Sequence, residues 1–401
     1  MGNDPYVIFF ERHKLMNVRV NVADALFTRA KMNYVVEPSP IGVMHVVDSL
    51  AIGGAERVAV NLVNRLSQKR YATYLCTTRA DGPLADLVAP YVRRLQLRRK
   101  RTLDIVALLS VVTFIKAHDI RILHAHGTSL FFARMAGSLS SVPVIWHDHY
   151  GRCELNDRPL WAYRIAVRDI GAVITVNQLL ANWSRQSLHV PSSRVRYVPN
   201  LIDFSESEQP TVKLPGDPDK RIVCVANLRP QKDHATLLRA MALVTKSVPR
   251  AHLLLIGASD SAENLRQVRI QISEFGLNEN VSYLGPRRDV AAILRASAIG
   301  VLSSISEGLP LALLEYGDAA LPAVVTNVGQ CAEVVGHGIG GILVPPANPE
   351  SLSEALSTLL ASSSYRNRLG AQFRERVRSR FNAGSIIEQI SDIYQSVLQQ
   401  E

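Results

Sequence analysis

From Ile41 onward, short apolar runs alternate with segments whose apolar residues recur every three or four positions. Val43–Val47, Thr73–Thr77, Ile120–His124, Pro143–Trp146, Ala172–Val176 and Val195–Val198 are too short for buried helices and predict strands. Between them, Val58, Leu62, Val63 and Leu66 lie at helical spacing, and Ser129–Leu139 predicts a second helix. The alternation stops over Leu201–Lys220, where Ser, Pro, Asp and Glu dominate, and such composition marks a linker. It resumes with strands at Ile222–Ala226, Leu253–Ile256, Val281–Leu284, Ile299–Ser303 and Ala323–Thr326. Helices are expected at Ala235–Lys246, Glu263–Phe275 and Leu309–Ala319, and long amphipathic segments from Tyr365 to Gln400. Strands separated by helices need crossover connections, so the expected class is α/β with parallel sheets. The domains predicted are an N-terminal unit over 41–203, a linker at 204–220 and a C-terminal unit over 221–381. Residues 1–40 stand outside the pattern as an extension of unassigned role.

Composition narrows the class. The chain has 401 residues, 47% hydrophobic and 20% charged, which suits two globular domains and excludes a disordered or fibrous chain. Cys76, Cys153, Cys224 and Cys331 lie far apart without a CxxC pair, which excludes a cysteine zinc site and fits a reducing compartment. The apolar run Ile105–Ile115 is too short for the ~20 residues that a membrane-spanning helix needs. YVIFF is followed at once by ERHK, the reverse order of a secretory signal, so a cytoplasmic protein is expected.

Net charge is +10, and Tyr91–Arg101 holds Arg93, Arg94, Arg98, Arg99, Lys100 and Arg101. Such a cluster either attracts phosphate or is a solvated loop between helices. With no nucleic-acid motif beside it, the favoured partner is an anionic membrane surface or an anionic acceptor, not nucleic acid.

Four strand-end clusters are candidates for chemistry, because ligands of open parallel sheets bind outside the carboxyl ends of the strands. Gly53 and Gly54 follow the first strand, where glycine lets backbone approach a ligand and a helix start offers N–H groups to an anion. They form neither GxGxxG nor a Walker loop, so dinucleotide and P-loop readings lose support. His124 and His126, and His147 and His149, form two HxH pairs. Neither belongs to a regular ligand series, so no metal site is assigned. His126 and His147 are the candidates for substrate contact, and His124 and His149 are read as structural. Arg229 and Lys232 follow strand Ile222–Ala226 and can neutralise a diphosphate. Glu307, Gly308, Leu309, Pro310 and Glu315 follow strand Ile299–Ser303. Pro310 suits the first turn of a helix whose preceding amides hold a sugar or phosphate oxygen, and ligand hydroxyls would partner Glu315. Asp217-Pro218-Asp219 has the DxD form of some metal-binding transferases, but it sits beside Pro215 and Gly216, where a turn explains it.

With these residues in place, the chain from Ile41 to its end resembles the retaining glycosyltransferases of family 4, which have the GT-B fold. The resemblance rests on VVDSLAIGGAERV, VPN-x-ID at Val198–Asp203, LRPQKDHATLLRA, SEGLPLALLE with its E-x7-E spacing, VVTNVGQCAEVV and GGILVPP. It implies two Rossmann-like domains facing a cleft, with a final helix at about 382–401 packing back on the first. It implies a nucleoside-diphosphate sugar as donor, no metal requirement, and a glycan or polyprenyl- or other lipid-linked acceptor at the inner face of a bacterial membrane. By position, Arg229 and Lys232 would bind the diphosphate, Glu315 the ribose and Glu307 the hexose. His147 would lie beside the reacting sugar, and Gly53 and Gly54 near the phosphates. Asn227 stands where many relatives carry an arginine, which Arg229 would replace, and Leu201 stands where glycine is common. The rival readings are a sugar-nucleotide epimerase of the same fold and a catalytically silent nucleotide-sugar-binding subunit.

Overall fold

The computed structural model describes residues 39–150, 158–201 and 212–400. Its first half is a parallel sheet built from β1 (Ile41–Val47), β2 (Tyr71–Thr77), β3 (Arg93–Gln96), β4 (Ile120–His126), β5 (Val144–Asp148), β6 (Ala172–Thr175) and β7 (Val195–Tyr197). The strand order is β3-β2-β1-β4-β5-β6-β7, so the order reverses between β1 and β4. The connecting helices are α1 (Gly54–Arg65), α2 (Ile105–Ala117), α3 (Leu130–Ser140), α4 (Leu160–Ala166) and α5 (Gln178–Gln186).

The second half repeats the plan with β8 (Arg221–Val225), β9 (His252–Ile256), β10 (Val281–Gly285), β11 (Ile299–Leu302), β12 (Ala323–Thr326) and β13 (Gly341–Val344), in the order β10-β9-β8-β11-β12-β13. Its helices are α6 (His234–Ser247), α7 (Ala262–Glu274), α8 (Val290–Arg295), α9 (Leu311–Asp318), α10 (Cys331–Val335), α11 (Pro349–Ala361) and α12 (Ser363–Arg380). The chain ends in α13 (Ala383–Leu398). In each sheet the reversal opens a crevice at the carboxyl strand ends, between β1 and β4 and between β8 and β11.

Local sequence sets the helix starts. Asp104, Asn177, Asp233, Ser261, Asn348 and Ser362 each accept a backbone N–H two or three residues on, at the starts of α2, α5, α6, α7, α11 and α12. Asn382 caps α13 by accepting from Gly384 and Ser385. That helix leaves the second core, where Phe373, Val377 and Phe381 are buried, and enters the first. There Ile386, Ile390, Tyr394 and Val397 pack with Val43, Val58, Leu62, Ile122 and Ile145. On the opposite face of the first sheet, α2, α3 and α4 bury Val111, Ile115, Phe132 and Tyr163.

Three expectations from sequence are corrected. Tyr91–Arg101 is not a loop throughout, because Arg93–Gln96 pairs along β2 as an edge strand. Its Arg94 binds Asp81 at 2.6 Å, while Arg99 is buried over the Phe132 ring with its guanidinium 3.5 Å from Asp48. The helix expected from Leu309 begins at Leu311, with Pro310 as its cap at ψ 121° rather than in its first turn. Just before that point the chain bends and is held by two contacts: Asn200 donates to the Leu309 carbonyl at 2.8 Å and Gln330 N donates to the Gly308 carbonyl at 3.0 Å. β13 went unanticipated at Gly341–Val344. Within the expected linker, residues 204–211 lie outside the described residues, as do 1–38 of the extension.

Candidate active site

The crevice ends of both sheets supply the candidate residues. Gly53 is the extended cap of α1, and Gly54 opens the helix. Glu56 and Arg57 follow on its first turn. Burial pushes the Glu56 carboxyl up, opposed by the positive charge of Arg229. Burial likewise raises Glu315, on α9, and the charge of Arg57 opposes it. Each half thus sets a cation against a partly buried carboxylate of the other. Arg57, quoted in the sequence motif, was given no role there.

Lys232 and Glu307 are brought together directly, with Lys232 Nζ 2.6 Å from Glu307 Oε1. The hydroxyl of Ser304 donates to the same oxygen at 2.6 Å. The Lys232 side chain is 20% exposed and that of Glu307 5%, so a strong charge-assisted pair lies at the base of the crevice. Arg229 stands higher, half exposed, and binds Asp260 at 2.7 Å. Asn227, at the position where an arginine was expected, bridges the halves instead. Its amide donates to the Ile52 carbonyl at 3.3 Å, and its carbonyl accepts from Ala258 N at 3.0 Å. Gly308 and Leu309 lie in the bend before α9. Gly329 supports that stretch from beneath. Its φ is +52°, and a Cβ there would run into the Glu307 carbonyl.

His147 is the penultimate residue of β5 and is 2% exposed. Its Nδ1 pairs with His124 Nε2 at 3.1 Å, and its Nε2 is buried without a partner among the described residues. The next residue, Asp148, is clamped by Arg158 at 2.7 Å, and the guanidinium lies over Trp146, Tyr163 and Trp183. His126 does not fit the substrate-contact expectation. It is 4% exposed, and its two ring nitrogens are taken by His45 at 3.0 Å and His149 at 2.9 Å. His149, expected to be structural, is the partly exposed member of the group. His45 was missed, since a single histidine in MHVV carries no motif; only strand pairing sets it opposite His124.

Two groups could offer three imidazole nitrogens to a metal: His45, His124 and His126, and His126, His147 and His149. In both, ring nitrogens are already paired with one another at 2.9–3.1 Å. The DxD of the linker serves a turn, with Asp217 accepting from Asp219 N and pairing with Arg250 at 3.0 Å.

The chemistry on offer is anion neutralisation by Arg57, Arg229 and Lys232 around a crevice edged with carboxylates for hydroxyl groups. Comparison with known proteins gives the family. The family model described as Glycosyltransferase Family 4 matches residues 52–206, and that of Glycosyl transferases group 1 matches 205–376. The chain is 24% identical over 381 residues to the UDP-Gal:alpha-D-GlcNAc-diphosphoundecaprenol alpha-1,3-galactosyltransferase of Escherichia coli, covering 89% of this chain and 97% of that one. It is 25% identical to the GDP-mannose-dependent alpha-(1-6)-phosphatidylinositol monomannoside mannosyltransferase of Mycobacterium tuberculosis, over 65% of this chain and 70% of that one. Among solved structures, Anabaena HepE in complex with UDP-glucose superposes with a TM-score of 0.75 at 18% identity, covering 89% of this chain and all of that one. The fold is GT-B, and the chain belongs to the family 4 glycosyltransferases. It is a glycosyl-transferring enzyme.

Proposed function

We propose that the chain is a retaining hexosyltransferase that moves a sugar from a nucleoside diphosphate to a glycan or lipid-linked acceptor, in the synthesis of a bacterial surface polysaccharide or glycolipid. The observation that carries this is the convergence of Arg229, Lys232, Glu307 and Glu315 at the β8/β11 crevice, facing Arg57 of the other half. The leaving group gathers negative charge as the glycosyl bond breaks. Cations fixed there in advance stabilise that charge without reorganising and leave a divalent ion no necessary part. Glu315 takes the ribose hydroxyls and Glu307 those of the hexose. Glu307 is not assigned as a nucleophile, because departure and attack take place on one face of an oxocarbenium-like sugar; its Oε1 is held by Lys232 and Ser304. His147 lies beside that sugar, and Gly53 and Gly54 line the phosphate end. The E. coli and M. tuberculosis relatives, whose names specify lipid-linked acceptors, support the acceptor class.

The acceptor places the enzyme at a membrane surface. Among the described residues no helix is long and apolar enough to cross a bilayer. Arg98, Lys100 and Arg101 lie exposed next to exposed Leu103, Ile105, Val106 and Leu109, a combination suited to an anionic leaflet.

The test is a melting-temperature panel with UDP, GDP, ADP and CMP and their sugar conjugates, with and without EDTA, followed by transfer assays with the responding donor. One responder insensitive to EDTA is expected, and Glu315→Ala should abolish its effect. Normal turnover by Glu315→Ala removes the site assignment. Acceptor-free interconversion of the nucleotide sugar replaces transfer with epimerisation.

A further inference from the structure

Five histidines and one tyrosine of the first half form a continuous hydrogen-bonded chain. From its partly exposed end it runs His149 Nε2 to His126 Nδ1 at 2.9 Å, then His126 Nε2 to His45 Nδ1 at 3.0 Å. His45 Nε2 meets the hydroxyl of Tyr394 at 3.2 Å, and that hydroxyl meets His124 Nδ1 at 2.7 Å. The last link joins His124 Nε2 to His147 Nδ1 at 3.1 Å, leaving the buried Nε2 of His147 as the terminus. The hydrogen-bonded histidine rings stack at centroid distances of 5.2–5.3 Å, and His147 and His149, the two ends of the series, lie 4.0 Å apart. Three strand ends supply the histidines, and Tyr394 comes from α13, so the chain closes only when the terminal helix returns to this sheet.

A neutral imidazole has one N–H and one bare nitrogen, and a phenol has one O–H. Six groups with one proton each, joined by five links, leave two satisfied arrangements: every proton points toward His147, or every proton points toward His149. Any mixture puts two protons or two lone pairs into one buried link and forfeits that bond. The heavy-atom distances select between the two. A hydroxyl that donates makes the shorter contact and one that receives an N–H the longer. Tyr394 therefore donates to His124 and receives from His45.

We propose that this chain holds His147 as its Nε2–H tautomer, a neutral hydrogen-bond donor presented to a sugar or phosphate oxygen, and that Tyr394 and His45 are positioning residues acting through it. Burial keeps all five imidazoles neutral near pH 7. It pushes His45 and His149 down to about 3 and holds His124, His126 and His147 well below the usual histidine range. The value of the arrangement is that a donor to sugar is fixed without a charge beside an electron-poor transition state. Its catalytic consequence rests on the placing of His147 beside the donor sugar; the tautomer itself does not.

The experiment is a nitrogen-15 correlation spectrum of the full chain labelled at histidine, which separates protonated from bare ring nitrogens, with His147→Gln used for assignment. The expected result at pH 7 is a proton on Nε2 of His147 and a bare Nδ1. Tyr394→Phe keeps the ring in place and removes the link between His45 and His124, so each remaining segment has two satisfied arrangements and the tautomers of His124 and His147 should become mixed. The same variant should lose about tenfold in kcat, the worth of one hydrogen bond, with a smaller change in donor KM. A proton on Nδ1 of His147 in the wild type overturns the proposal, and needs no variant to be seen. Unchanged tautomers or an unchanged kcat in a folded Tyr394→Phe protein overturn it as well. Absence of any transfer by the wild type would count against the proposed function and leave the tautomer result standing.

Discussion

The Lys232–Glu307 pair shows what a single contact does at this site. Both groups are largely withdrawn from water, and breaking such a pair by deleting one partner costs about 3–5 kcal/mol because the other charge stays buried. Lys232→Ala should therefore lose stability and donor use together, seen as a lower urea midpoint and no nucleotide-induced rise in melting temperature. Loss of donor binding at full stability would mean that the lysine touches only the ligand. Gly329→Ala separates the two effects from another direction. It forces a side chain onto a backbone at φ +52° and against the Glu307 carbonyl, at about 1–2 kcal/mol for the backbone alone. Glu307 should move without loss of any site side chain, so donor KM should rise in a folded protein; wild-type kinetics would show that the loop yields elsewhere. The sequence marked Lys232 and Glu307 as strand-end residues. Their bond joins positions 75 apart and depends on β8 and β11 being neighbours, which no local pattern states. His126 failed for a related reason: spacing puts a histidine at a strand end, but only the neighbouring strand decides whether its nitrogens are already satisfied.

At the scale of elements, the regular strand–helix alternation was legible because buried parallel strands are short, uniformly apolar runs. β3 was not. An edge strand is kept charged to discourage pairing with other chains, and charge hides its period. Ile105–Ile115 was read only as an apolar run too short for a membrane; Asp104, accepting from Ala107 N, makes it the 13-residue helix α2. One flank of α2 packs inward through Ala107, Val111 and Ile115, and the other leaves Ile105, Val106 and Leu109 exposed. The basic run just before it keeps Arg93, Arg98, Lys100 and Arg101 exposed after Arg94 and Arg99 are committed elsewhere. If this element docks on a leaflet, Val106→Glu should weaken sedimentation with vesicles containing anionic lipid and leave transfer to a water-soluble acceptor analogue intact. Binding to such vesicles that is unaffected both by Val106→Glu and by raised salt removes α2 from the membrane contact.

Across the molecule, the two halves were predicted from one break in the pattern, but their mutual registration could not be. It is set by Asn227 to Ile52, Asn200 to Leu309 and Gln330 Nε2 to the Tyr197 hydroxyl at 3.2 Å, and by α13 returning to the first core. That return also buries the histidine chain, which gives the whole fold a pH dependence with a definite sign. His45 and His149 are held down to about 3, His234 to about 4, and His124, His126 and His147 well below their ordinary value by burial. In the unfolded chain the same rings take up protons near pH 6.5. Between that pH and their depressed folded values the unfolded state binds more protons, so stability is full above about 6.5 and falls as pH drops below it. Each ring contributes up to about 1.4 kcal/mol per pH unit in that window. Glu56, Asp148 and Glu315, raised by burial, retain protons in the folded state and act with the opposite sign. With His252 also lowered by burial, seven rings against three carboxyls leave the histidines in control. Urea midpoints taken at pH 7, 6 and 5 should fall steadily, with a net uptake of protons on unfolding. His45→Gln and His149→Gln should each flatten the slope, because each removes one ring that must stay neutral to fold. A midpoint that stays level from pH 7 to 5 would mean that these rings are protonated within the fold, and the neutral chain through Tyr394 could not then exist.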